Sequence, residues 1–167
     1  ASYCGTKYCI LTANGTVSLH LAMAVLNIGA GDEVIVPDLT FVATANIVKV
    51  SGAIPVLADV RKTDWCIDPE DVRRKITPRT KAILICNPNN PTGYLYSKNE
   101  IKKLVEIVKK HDLFLIADEV YREFTYDGES HYSSIHWAYS FGPNQSVASL
   151  VFSFFNTKSI YHRYPSY

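Results

Sequence analysis

The sequence predicts an α/β fold, a three-layer αβα arrangement around a mostly parallel sheet. Three observations predict it. Short, almost wholly apolar runs alternate with stretches of helical spacing. The runs are near-continuous in apolar residues, as strands buried on both faces require. No internal repeat or low-complexity linker interrupts the alternation.

The elements follow in order. Tyr8–Ala13, "YCILTA", reads as a strand. Val17–Ile28 has apolar residues at helical spacing and is expected to stop at Gly29 and Gly31. Glu33–Pro37 is a buried strand ended by Pro. Phe41–Val50 is a helix closed by Gly52, and Ile54–Val60 is another strand. Asp68 and Pro69 suit the N-cap and first position of a helix over "DPEDVRRKI". Ala82–Cys86, "AILIC", is a strand. Ser97 and Glu100 form a capping box for the clearest helix, whose apolar stripe is Ile101, Leu104, Val105 and Val108. Leu113–Asp118 and Ser149–Phe155 read as further strands. The span from Glu129 to Ser146 has no clear period.

Length and charge narrow the function. The 167 residues suit one domain with a substantial core. A net charge of +1 gives no bulk field for nucleic acid or an anionic membrane. Lys102, Lys103, Lys109 and Lys110 fall on an amphipathic helix and read as a solvated face. No apolar stretch approaches the ~20 residues that span a bilayer. Cys4, Cys9, Cys66 and Cys86 lack zinc spacing and are expected to be buried thiols in a reducing, cytoplasmic setting. The scattered histidines suggest no metal site.

In folds of this class ligands bind beyond the carboxyl ends of the strands. Asn14-Gly15-Thr16 follows the first run and opens a helix, whose free N–H groups can seat a phosphate. Read alone, such a turn is more often only a tight connection. Phe41 follows the second run and could stack on a planar ring or fill the core. "NPNNPTG" (Asn87–Gly93) follows "AILIC"; its prolines stiffen a turn that pre-places Asn side chains. Asp118 ends a buried strand, where a carboxylate calls for a cation or strong donors, or caps a helix. Lys158 follows the last run; in a partly desolvated pocket its amine would be a nucleophile, while an isolated lysine is by default a surface residue. Together these supply a phosphate seat, a stacking ring, a hydroxyl partner, an anion for a pyridinium and an amine for an aldehyde. The group that needs all five is pyridoxal 5'-phosphate (PLP).

At these residues the chain resembles the fold type I PLP-dependent enzymes of the aspartate-aminotransferase superfamily. From Ala1 to about Lys81 it is similar to DegT-type nucleotide-sugar aminotransferases of the perosamine-synthase kind, through "YCGTKYCILTANGTVSLHLAM" and "GDEVIVPDLTFVATAN". From about Leu84 to Ile135 it is similar to class I/II amino-acid aminotransferases, through "NPNNPTG" and "LFLIADEVYREFTYDG". The change of branch suggests a chimera or fragment. The resemblance implies that Gly15, Thr16 and Ser153 hold the phosphate, and that Phe41 stacks on the ring. It implies that Asn90 and Tyr121 bind the ring hydroxyl, that Asp118 pairs with the ring nitrogen, and that Lys158 is the Schiff-base lysine. Ser153 stands five residues before Lys158, as in the sugar branch; the class I serine three residues before it is replaced by Phe155.

The implied reaction moves an amino group from an amino acid to a keto acceptor, with a nucleotide-linked keto sugar as one candidate. The implied organisation is residues 1–167 as a single PLP-binding large-domain core without the small C-terminal domain, completed as a homodimer or self-associating. Two alternatives stand beside it. One is a truncated or designed α/β domain that folds and binds PLP without turnover. The other is an unrelated nucleotide binder, against which the absence of both GxGxxG and GxxxxGK[ST] argues.

Overall fold

A computed structural model describes residues 8–126, 131–133 and 150–152. The elements are α1 (Gly15–Val25), β1 (Glu33–Pro37), α2 (Val42–Val50), β2 (Ile54–Ala58), α3 (Pro69–Lys75), β3 (Thr80–Cys86), α4 (Lys98–Lys110), β4 (Phe114–Asp118) and β5 (Leu150–Phe152). The five strands form one sheet in the order β2-β1-β3-β4-β5. Every pairing in it is parallel.

Alternation along the strands sorts the core into two faces. Val34, Val36, Ala82, Leu84 and Ile116 meet Leu19 and Met23 of α1 and Ile47 and Val48 of α2. Ile35, Ile83, Ile85, Leu115 and Ala117 meet Val72 of α3 and the stripe Ile101, Leu104, Val105 and Val108 of α4. Helices on both faces of a parallel sheet are the expected three-layer αβα architecture. The central strands are buried on both sides, which explains their unbroken apolar character.

The caps form as their residues dictate. Ser97 accepts from the Glu100 N–H, and Glu100 reaches back to the Ser97 N–H at 2.7 Å. Asp68 caps α3, with Pro69 in its first turn. Asn14 caps α1 through the Val17 N–H at 3.0 Å.

Three expectations are corrected. Tyr8–Ala13 is not a strand. Tyr8, Ile10 and Leu11 are exposed, and the segment pairs with none of the described strands. Helix α1 ends at Val25 rather than Ile28. Leu26 caps it and Asn27 turns to φ 52°, a left-handed value that Asn tolerates, so the chain leaves the helix before reaching Gly29. Cys66 and Cys86 are buried, but Cys9 is exposed on the unpaired segment; Cys4 lies outside the described residues.

The order of strands sets where a ligand can enter. β1 connects through α2 to β2 on one side, and β3 connects through α4 to β4 on the other. The loops leaving β1 and β3 therefore diverge, and the crevice between them is the binding position of doubly wound sheets.

Candidate active site

Strands β3 and β4 end side by side. Their last register pair is Cys86 and Asp118. The Asn87 N–H then donates to the Asp118 carbonyl at 2.8 Å, so pairing continues one residue past β3. This sets the Asn–Pro turn directly beside the Asp118 loop.

Within the turn, Asn89 N–H donates to the Tyr94 carbonyl and Gly93 N–H to the Asn89 carbonyl, both at 2.8 Å. Gly93 takes φ 71°, which glycine adopts without steric cost. The Asn89 Nδ2 donates to Thr92 Oγ1 at 3.1 Å and reaches the Leu39 carbonyl at 3.4 Å, tying this turn to the loop after β1. Asn90 Nδ2 donates to the Tyr121 hydroxyl at 2.9 Å. Two residues assigned to one ring oxygen thus meet, although they come from different strands.

Asp118 is buried at the end of β4. Its Oδ1 accepts from the Val120 N–H at 3.1 Å. Burial pushes its carboxyl above the ordinary carboxylate range, and the Val120 bond only partly opposes this. Among the described residues it has no ion-pair partner. A turn rather than a helix follows it, so it is not a helix cap. The Cys86 thiol is pushed up to about 12 by burial and then by the charge of Asp118.

Phe41 stands at the N-cap of α2 with 46% of its surface exposed, so its ring is not a core residue. Gly15 opens α1. A Cβ built there would meet nothing within 4 Å. The Gly15 and Thr16 N–H groups precede the first residues that the helix ladder and the Asn14 cap can satisfy. Free N–H groups at a helix start are a general setting for anions. Ser153 and Lys158 lie outside the described residues.

The motif reading missed the residues that stand behind this rim. Asn87 is fully buried and its side chain accepts from the Tyr96 N–H at 3.1 Å. Glu119 is fully buried too; Ser133 Oγ donates to it at 3.0 Å, and Arg122 and His131 each come within 3.9 Å. The repeated Asn of the turn was a visible signal for Asn87. Nothing in the sequence pointed to His131.

A second polar cluster lies on the α4 side. Ligand atoms of Asp64, Cys66 and Glu100 fall within 4.8 Å of one another. The Arg61 guanidinium already bridges Asp64, at 2.7 Å, and Glu100. Burial pushes the Cys66 thiol up to about 12, which disfavours the thiolate a metal needs. The cluster is an ion-pair network pinning the loop after β2 to the capping box of α4.

Solved structures share this fold. Alanine aminotransferase from Pyrococcus furiosus superposes with a TM-score of 0.68 at 39% identity, over 74% of this chain and 32% of that one. A PLP-bound structure from Clostridium difficile 630 gives 0.70 at 25% identity, over 77% and 34%. The fold is that of the PLP-dependent aminotransferases. The model of the DegT/DnrJ/EryC1/StrS aminotransferase family matches residues 1–162, and the chain belongs to that family.

Curated relatives come from both branches. Glutamate–pyruvate aminotransferase AlaA of Escherichia coli K12 is 41% identical over 126 residues, 74% of this chain and 31% of that protein. GDP-perosamine synthase of Caulobacter vibrioides is 43% identical over 118 residues, 71% and 30%. The chain therefore spans about a third of the length of the relatives it matches.

Proposed function

We propose that residues 1–167 form the cofactor-binding core of a PLP-dependent aminotransferase that moves an amino group between an amino acid and a keto acceptor. The observation that carries this is the rim itself: Asn90 bonded to Tyr121 beside a buried Asp118 that has no counter-ion among the described residues. Such a carboxylate suits a protonated ring nitrogen, and the open space over Gly15 suits a phosphate.

When bound, PLP supplies an electron sink that lets the Cα–H bond of an amino acid break. The chain's own residues do the rest. Asp118, as the anion, would keep the proton on the ring nitrogen through a charge-assisted bond. Asn90 and Tyr121 would orient the ring through its hydroxyl oxygen. Phe41 would cover one ring face and exclude water there. Gly15, Thr16 and Ser153 would hold the phosphate. Lys158 Nζ would anchor the cofactor and then carry the substrate proton as general base and acid.

The likeness to a perosamine synthase supports a nucleotide-linked keto sugar as acceptor, and the likeness to AlaA supports a keto acid. Assembly as a homodimer in the cytoplasm belongs to the same reading. Among the described residues no helix is long and apolar enough to cross a membrane.

Added PLP should give a visible absorption band. Borohydride should then fix the cofactor covalently on Lys158, and the Lys158→Ala chain should yield no such adduct. An amino donor should convert the bound aldehyde to the amine form. A chain that is labelled but never converted is a binding core without turnover. No labelling at Lys158 sinks the proposal.

A further inference from the structure

Asn87 has no exposed surface, and its polar groups are engaged on several sides. Its N–H goes to the Asp118 carbonyl and its Oδ1 to the Tyr96 N–H. That second bond fixes the orientation of the side-chain amide. The backbone carbonyl lies 3.2 Å from His131 Nε2. A carbonyl can only accept, so Nε2 carries the hydrogen. Glu119 Oε2 sits 3.9 Å from the same nitrogen, which favours a proton there. Asn87 Nδ2 approaches it at 3.4 Å, a contact with little hydrogen-bond character once Nε2 is the donor. Ser133 holds the opposite oxygen of Glu119 at 3.0 Å.

The Asn87 carbonyl matters because proline comes next in the chain. The peptide joining Asn87 to Pro88 has no N–H, so this carbonyl is its only hydrogen-bonding group. Among the described residues the carbonyl of Pro88 accepts only the weak Cys86 thiol, at 3.2 Å, while the Asn89 N–H of the same peptide donates to the Tyr94 carbonyl at 2.8 Å. The His131 bond therefore restrains the Asn87–Pro88 peptide, as the Tyr94 bond restrains the one after it. Asn90 stands two residues beyond Pro88.

We infer that His131 is a positioning residue: its Nε2–H clamps the Asn87 carbonyl, backed by Glu119, and so holds the turn that presents Asn90. This rests on the reading that Asn90 serves the cofactor. His131 touches neither Asn90 nor Tyr121 by these bonds; it acts through the turn.

The test uses the full chain and has two arms. In the first, hydrogen exchange is followed without cofactor. His131→Phe should speed exchange at the Asn89 and Gly93 amides about tenfold, the loss of one hydrogen bond's worth of protection, with the β1 amides unchanged. His131→Gln, which can still donate at the Nε2 position, should protect as the unaltered chain does. His131→Asn, too short to reach, should not. If His131→Phe loses β1 protection as well, the Gln and Asn pair decides. In the second arm, His131→Phe should weaken PLP binding about tenfold, but less than about twofold in an Asn90→Ala background.

Exchange at Asn89 and Gly93 that stays within about twofold in His131→Phe overturns the inference. So does an equal loss of PLP affinity in both backgrounds, which makes His131 a merely structural residue. Failure of the unaltered chain to bind PLP has a different meaning. It overturns the cofactor reading, while the exchange arm still judges the clamp.

Discussion

Asn90 and Tyr121, 31 positions apart in the chain, meet at 2.9 Å across the ends of β3 and β4. The phenol oxygen accepts from the amide and keeps its own proton to donate. Both groups can therefore address one ligand oxygen without competing. The bond depends on the parallel register that sets Cys86 opposite Asp118, since that register brings the two loops level.

The pair should be coupled in the folded chain before any ligand arrives. Asn90→Ala and Tyr121→Phe, combined in a double-mutant cycle of urea unfolding, should give a coupling of about 1 kcal/mol. A coupling near zero would mean that the bond is not formed in solution.

Asp118 should make the cofactor-free fold less stable as pH rises. Burial raises its folded pKa above the unfolded value. The folded state then holds the proton more tightly, so stability is greatest below the unfolded pKa, about 4, and declines as pH climbs through the folded pKa. Asp118→Asn should remove that decline. Thermal melts across the acid range should show the variant gaining on the parent with rising pH, and PLP should bind the variant more weakly.

Gly15→Ala should separate folding from binding. The position opens a helix with space around the added Cβ, so stability should be unchanged or raised by up to about 1 kcal/mol. The methyl group would occupy the space offered to the phosphate. PLP affinity should fall even as the melting temperature holds, and an unchanged affinity would move the phosphate seat elsewhere.

The opposite pole of the sheet should contribute to acid unfolding. Glu33 accepts from Thr77 at 2.6 Å and from Arg79 Nε at 2.9 Å, and it is almost fully buried. The Thr77 hydroxyl, then Arg79, hold its carboxyl below the ordinary range against the cost of burial. A lowered folded pKa gives stability that is present above the unfolded pKa, about 4, and lost as pH falls through the folded value. Glu33→Gln should cost about 1–2 kcal/mol at neutral pH and flatten that acid loss in denaturant titrations.

Much of the fold was legible because its signals are local. Ser97 and Glu100 make a capping box wherever a helix begins, and the α4 stripe reads from spacing alone. "AILIC" and "LFLIAD" could only be buried strands. Tyr8–Ala13 misled because a short apolar run states a capacity to pair, whereas pairing needs a neighbouring strand. Asn27 ended α1 early because Asn, like Gly, tolerates a left-handed backbone. Phe41 could have faced core or rim, and only the packing of α2 exposed its ring.

The sequence by itself determined the three-layer architecture, the caps and the residue types at each strand's carboxyl end, because those follow from periodicity and from chemistry within a few neighbouring positions. Tertiary structure decided which of those ends face one another. Strand order and register brought Asn90 to Tyr121, left Asp118 buried without a counter-ion among the described residues and set His131 over the Asn87 carbonyl. Such meetings join residues dozens of positions apart, and no local preference encodes them; they arise only when the sheet closes its core.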